Sequence, residues 1–373
     1  MTREEYRSTM KLVAYLCSCA VNGTVPEEER LQGTDPELLY EAAQKHLLQA
    51  AVGMALESAG IRTQKFTQAI AAAQRKNALL DADRAQVLAA LEKEGIWYMP
   101  LKGSLLKDLY PRLGMRQMAD NDILVDPDRR KDVRKIMEGL GFSTEHYDVS
   151  NHDVYHKLPV SNFEMHVYLI NGESNDELET YYMNVKDRLI KDERTEYGYH
   201  FTEEDFYLFM IAHEYKHYVL SGTGLRSLLD TYVYVKRKEK ELDWEYIRRE
   251  SIKMGVADFE NMNRSLAVHL FDGEKLTVEE QKTLDYIISS GTYGTIANGV
   301  ENKIQKNGRM GFFLSRVFVP MNTMKNLYPV LRKAPWLYPA VDLWRIISKF
   351  FTNNKKYMYE VKAALGLVKK EED

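Results

Sequence analysis

The stretch Ile96-Trp97-Tyr98-Met99-Pro100-Leu101-Lys102-Gly103-Ser104, followed about seventeen positions after its glycine by Asp120-Asn121-Asp122-Ile123-Leu124-Val125, decides how this chain is read. Its apolar opening has the pattern of a β-strand running into a Lys-Gly-Ser turn, and Leu105 to Tyr110 has that of a short helix. Residues i and i+2 of a strand project to one face, so Asp120 and Asp122 are expected to aim both carboxylates at one spot. Strand, glycine turn, helix and a second strand bearing D-x-D form a layout suited to a triphosphate and two magnesium ions.

The chemistry behind that expectation is specific. Mg²⁺ takes oxygen ligands, commonly one or two carboxylates together with phosphate oxygens. Two such ions about 4 Å apart clamp the attacking and leaving oxygens of an in-line displacement. Gly103 and Ser104 at a helix start offer unpaired N–H groups to phosphate. Lys102 and Arg116 add positive charge, the arginine by bidentate forking. A third acidic group is expected in Asn162-Phe163-Glu164-Met165-His166-Val167-Tyr168-Leu169, which alternates as a half-buried strand does. Glu164 and His166 share one face there, opposite Phe163, Met165 and Val167. Glu164 is the candidate third carboxylate, either on a metal or taking the proton of an acceptor. His166 is the candidate for orienting it or touching phosphate.

Leu101-Lys102-Gly103, Arg116, Asp120-Asn121-Asp122-Ile123-Leu124-Val125 and Glu164-Met165-His166 together resemble the uncharacterised nucleotidyltransferase family of the DNA polymerase β-type superfamily. The likeness extends to His213, Lys216, His217, to Leu225-Arg226-Ser227-Leu228-Leu229-Asp230, and to the tail around Tyr328-Pro329 and Pro335-Trp336. It implies an α+β fold, a nucleotidyltransferase-type mixed sheet with flanking helices, joined to N- and C-terminal helical regions. The implied activity is Mg²⁺-dependent transfer of a nucleotidyl group from an NTP such as ATP, with release of pyrophosphate. Asn121 stands where a buried aliphatic residue is usual, so that strand is expected to be less enclosed here. Lys102 stands where a small residue is common. His213, Lys216 and Arg226 are expected either to contact the triphosphate or the acceptor, with Asp230 fixing Arg226, or to form a polar seam joining two helices.

A rival motif is His213-Glu214-Tyr215-Lys216-His217, which matches the H-E-x-x-H pattern of zinc hydrolases. Lys216 lies on nearly the same face as His217 and opposes a cation, and no third ligand is strongly placed. His152 and His156 form another i, i+4 pair, but they lie in a polar stretch before a strand, and a second metal site is not expected there. The second alternative is a catalytically silent nucleotidyltransferase fold acting as a nucleotide sensor or scaffold.

Composition fits a multi-part enzyme. The 373 residues exceed one ordinary domain, and the net charge of −4 gives no global pull toward nucleic acid. Residues 301–373 hold fourteen Lys/Arg against six Asp/Glu, which leaves −12 for residues 1–300. That basic, aromatic tail, with Phe312, Phe313, Phe318, Trp336, Trp344, Phe350 and Phe351, suits a membrane surface, a nucleic acid or a partner protein. Amphipathic helices packing on an acidic body is the preferred reading. Cys17 and Cys19 are too close for a framework disulfide, which fits a reducing cytoplasm. The interrupted apolar stretch before them, with Glu4 and Glu5, argues against an export signal, and no apolar run is long enough to span a membrane. The pattern divides the chain into a helical region at 1–94, an α/β part at 95–200 and helices with the basic tail at 201–373. Pro320, Pro329, Pro335 and Pro339 are expected to break that tail into short pieces.

Overall fold

The computed structural model describes residues 2–170, 176–292, 294–317, 319, 321, 324, 328, 330–351 and 362. The chain falls into two compact units, one of residues 1–216 with 223–292, the other of residues 217–222 with 293–373.

The first unit is built around a mixed five-stranded sheet in the order β1 (Tyr98–Pro100), β2 (Asn121–Val125), β5 (Ser161–His166), β4 (His152–Lys157), β3 (Ser143–His146). Within this sheet, β2 and β5 pair in parallel, and the β1–β2, β5–β4 and β4–β3 pairs are antiparallel. Strict alternation along β5 sorts its side chains. Phe163 and Met165 join Ile123, Val125, Tyr155, Val87 and Val133 in one core cluster, while Glu164 and His166 stay half-buried on the other face. The helices Gln64–Lys93 and Arg130–Gly139 supply Val87, Leu91, Val133 and Met137 to that cluster, so both cover the same side of the sheet. The long helix stops just before Gly95, which takes the left-handed region at φ 67°. Because its last turns pack on the strands, 94/95 is a change of element and not a gap in the core. Asp126 caps the chain before Pro127, accepting from Asp128 N, and a 3₁₀ turn at Pro127–Arg129 precedes the helix Arg130–Gly139.

A second core cluster joins Met99, Leu101, Leu106 and Leu124 to the apolar residues of the helix Glu203–Leu220, among them Tyr207, Leu208 and Ile211. A short pair, β6 (Ile190–Lys191) and β7 (Tyr199–His200), precedes that helix. Cys17 and Cys19 sit buried in the first helix, Arg3–Asn22, which a Thr2/Glu5 capping box opens. Burial pushes the Cys17 thiol up.

The second unit contains the helix Ile296–Val317, kinked at Gly308, and the helix Tyr338–Phe351. Pro339 lies in the first turn of the latter, where a missing N–H costs nothing, so it opens a helix instead of breaking one. Pro320, Pro329 and Phe318 lie outside the described residues. Among the described residues, no helix is long and apolar enough to cross a membrane.

Candidate functional site

Asp122 and Glu164 are paired across the parallel β2–β5 ladder, so the two carboxylates rise side by side from the middle of the sheet. Asp120 sits just before β2 instead of on it. The residue between them departs from the expectation of an open strand. Asn121 is fully buried, with its amide donating to Leu80 O at 3.0 Å and its oxygen accepting from Arg84 Nη1 at 3.1 Å. A polar residue is stable there because the helix behind the sheet offers both partners. β1 is tied to the same place through Leu101 N donating to Asp122 O at 2.9 Å.

Charge is crowded here. Burial pushes the Asp120 carboxyl up to about 7, and the carboxylates of Asp122 and Glu164 push the same way against Lys102 and Arg226. Burial also raises Asp122, but the His166 hydrogen bond at 3.0 Å, its charge and that of Lys102 win, holding Asp122 well below the usual range. Burial lowers His166, yet Asp122 and Glu164 lift it to about 9. Burial likewise brings the Lys102 ammonium down to about 8, against Asp122 and Asp120. Asp120 feels the charges of both Asp122 and Glu164, so the three carboxylates share one acidic neighbourhood, with burial the largest push on Asp120 toward its neutral form. An all-oxygen donor set is the kind Mg²⁺ uses.

Around this cluster the Lys-Gly-Ser segment takes a different form from a glycine turn. Lys102, Gly103 and Ser104 are themselves the first turn of a short helix, Lys102–Leu106, without a side-chain cap at Leu101. Gly103 is closely approached: a Cβ there would lie 3.2 Å from Met118 Cε and 3.4 Å from Arg116 Nη1, so the Met118 side chain would have to give by a few tenths of an ångström. Ser104 is buried and donates its hydroxyl to Leu101 O at 2.9 Å, so the side chain faces the protein.

Arg116 is buried as well, its fork occupied by Asp230 at 2.7 and 2.8 Å, with a further donation to Gly103 O at 3.3 Å. Tyr110 adds a hydroxyl to Asp230 at 2.7 Å. The sequence singled out Arg226 for Asp230, and the fold adds a partner from far along the chain. Asp230 holds Arg116, and Arg226 donates to Gln117 O at 3.0 Å.

A sequence model of the family described as "Uncharacterised nucleotidyltransferase" matches residues 32–272. The chain belongs to that family. No curated protein and no solved structure matches it. Every candidate residue from Lys102 to Asp230 lies inside the matched segment, whereas the tail, with its supposed likeness at Tyr328 and Pro335, lies beyond it.

In this member of the family, His213 and Glu214 of the H-E-x-x-H pattern have partners within the protein. Lys102 Nζ comes within 2.7 Å of the His213 ring. Glu214 is buried and accepts from Asn263 Nδ2 at 3.0 Å and Thr231 Oγ1 at 3.4 Å, well away from solvent water. Lys216 lies near enough to His152 to lower that imidazole, after burial and His166. His217 belongs to the second unit.

Two residues of the site were missed by sequence reasoning. Lys76, on the Gln64–Lys93 helix, donates to Ala119 O at 2.7 Å beside Asp120, and burial lowers its ammonium. It reads as one solvated cation in an Ala-rich helix, and no local signal marks it. His152 lies on β4, not in a polar stretch before a strand, directly opposite His166 with ring centroids 5.0 Å apart. The alternation His152-Asp153-Val154-Tyr155 was the available signal, masked because Asp153 occupies a core-facing position. Asp153 is 1% exposed and is neutralised there by Arg130.

Proposed function

We propose that this chain is a Mg²⁺-dependent nucleotidyltransferase that moves an NMP group from an NTP to a hydroxyl or amine acceptor and releases pyrophosphate. The observation that carries the reading is the pairing of Asp122 with Glu164 on adjacent strands, with Asp120 at the strand entry and Lys102 facing both aspartates. Asp120, Asp122 and Glu164 would hold the ion. When bound, it neutralises phosphate charge and favours departure of pyrophosphate.

The chain's own residues do the positioning. Lys102 supplies a point charge to the phosphates, its burial strengthening the attraction. Arg116, locked to Asp230, holds Gly103 O and so fixes the start of the Lys102–Leu106 helix against the sheet. Lys76 and Arg226 strap the 117–119 segment that leads into Asp120. Catalysis on this scaffold is mainly orientation and charge complementarity. Silent sensing by the same fold is separated from this reading by metal-dependent NTP turnover.

The test incubates the protein with each α-labelled NTP, Mg²⁺ and a cell extract, and follows which component acquires label. Label transfer that a chelator and Asp122→Asn both abolish is expected. Transfer undiminished in Asp122→Asn, or no transfer from any nucleotide, overturns the proposal.

A further inference from the structure

Among the described residues, one group of His, Cys, Asp or Glu side chains comes together closely enough to share an ion: His152, Glu164 and His166, whose ligand atoms all lie within 4.8 Å of one another. Two imidazoles are not what Mg²⁺ selects, so the oxygen-only site leaves them unexplained. The hydrogen bond from His166 to Asp122 accounts for His166 alone. His152 has no such account.

The distances are informative. Glu164 Oε2 stands 3.6 Å from His152 Nε2 and 3.5 Å from His166 Nε2. Those separations are long for hydrogen bonds. They match the edge of a tetrahedron, about 3.4 Å, around an ion with bonds of about 2.1 Å. The scaffold is also fixed. His152 and His166 are direct partners across the β4–β5 ladder, and Glu164 lies two residues before His166 on the same face, so no loop has to move.

We infer that His152, Glu164 and His166 form a binding site for a borderline first-row divalent cation of the Zn²⁺ class, adjoining the oxygen site and sharing Glu164 with it. Two histidines with one carboxylate are a set that holds such ions with a position left open to water or substrate. Asp122 is hydrogen-bonded to the same His166 Nε2 at 3.0 Å, so an ion bound there takes that nitrogen from Asp122. Two features limit its affinity. Lys216 lies close enough to His152 to oppose a cation. The Nδ1 atoms of both histidines are buried without a partner among the described residues, whereas ligating imidazoles ordinarily pass that N–H to an acceptor. Binding is therefore weaker than in a structural zinc site.

The experiment needs no nucleotide, so its outcome is separate from that of label transfer. Full-length, chelator-stripped protein is titrated with Zn²⁺, and with Co²⁺ as a coloured reporter. One equivalent is expected, with the intense visible cobalt band of a four-coordinate, nitrogen-containing site. His152→Gln should weaken binding about tenfold or more, while Asp120→Asn leaves the stoichiometry intact. Glu145, His146 and His156 form an exposed group nearby in sequence, and His156→Gln controls for it. Equal binding by parent and His152→Gln overturns the inference, as does a loss that follows His156→Gln. So does a weak, octahedral cobalt spectrum in the parent, a result that needs no variant. Zinc binding without label transfer would sink the transferase reading alone, and label transfer without zinc binding would sink this one alone.

Discussion

Glu214 illustrates how burial overrides motif at the scale of one residue. Desolvation lifts its carboxyl to about 8, against the hydrogen bonds from Asn263 and Thr231. Below about pH 4.5 the group is neutral in both the folded and unfolded chain, and it costs nothing. Between about 4.5 and 8 the unfolded chain ionises while the buried group keeps its proton, so stability falls across that window and levels off above it. Glu214→Gln should remove this loss, leaving the variant more stable than the parent at pH 8 by roughly 1–4 kcal/mol, with little difference at pH 4. Urea denaturation at the two pH values measures it, and a gap that fails to widen with pH refutes it. Asp230 and Arg116, also buried, make the opposite case. Asp230→Ala strands a guanidinium and should cost roughly 3–5 kcal/mol. The double change Arg116→Met, Asp230→Leu should recover most of that in the same assay. None of this partnership was legible in the sequence. Arg226 is the i+4 neighbour of Asp230 and locally the natural partner, whereas Arg116 lies 114 positions away and only the fold brings it near.

At the scale of elements, the readable parts are those where a period is unbroken. Phe163, Met165 and Val167 alternate cleanly with Glu164 and His166, so β5 and its two faces are legible in the sequence. β4 was not, because a buried ion pair between Asp153 and Arg130 replaces the apolar residue that the pattern needs. β2 lies between these cases. Ile123 to Val125 announce a strand, but Asn121 hides how deeply its start is buried. The Asn121 amide joins β2 to the Gln64–Lys93 helix through Leu80 O and Arg84, and this fixes where Asp120 and Asp122 stand. Asn121→Ala leaves a helix carbonyl and an arginine to re-pair, and should cost about 1–3 kcal/mol. It should also slow label transfer, because the loosened strand carries the acidic residues. Thermal denaturation together with the transfer assay checks both effects. Unchanged stability would mean that the amide is not what anchors the strand.

For the whole molecule, a division into two compact units means that unfolding need not be one transition. Every proposed nucleotide and metal residue of the sheet lies in the unit of residues 1–216 and 223–292. A ligand that binds only the folded state adds RT ln(1 + [L]/Kd), about 2.7 kcal/mol at a hundred times its dissociation constant. In this protein that gain belongs to the unit that carries the site. With Mg²⁺ and the correct NTP present, calorimetry should therefore show the transition of that unit moving upward by a few degrees, while any separate transition of the other unit stays where it was. Mg²⁺ or nucleotide alone should move it less, since three carboxylates repel bare triphosphate and phosphate oxygens complete the ion's shell. Asp122→Asn should cancel the shift without abolishing the transition, because the substitution removes a charge from a crowded acidic cluster and leaves the core of the sheet in place. A shift that survives in Asp122→Asn would put the nucleotide elsewhere on the molecule.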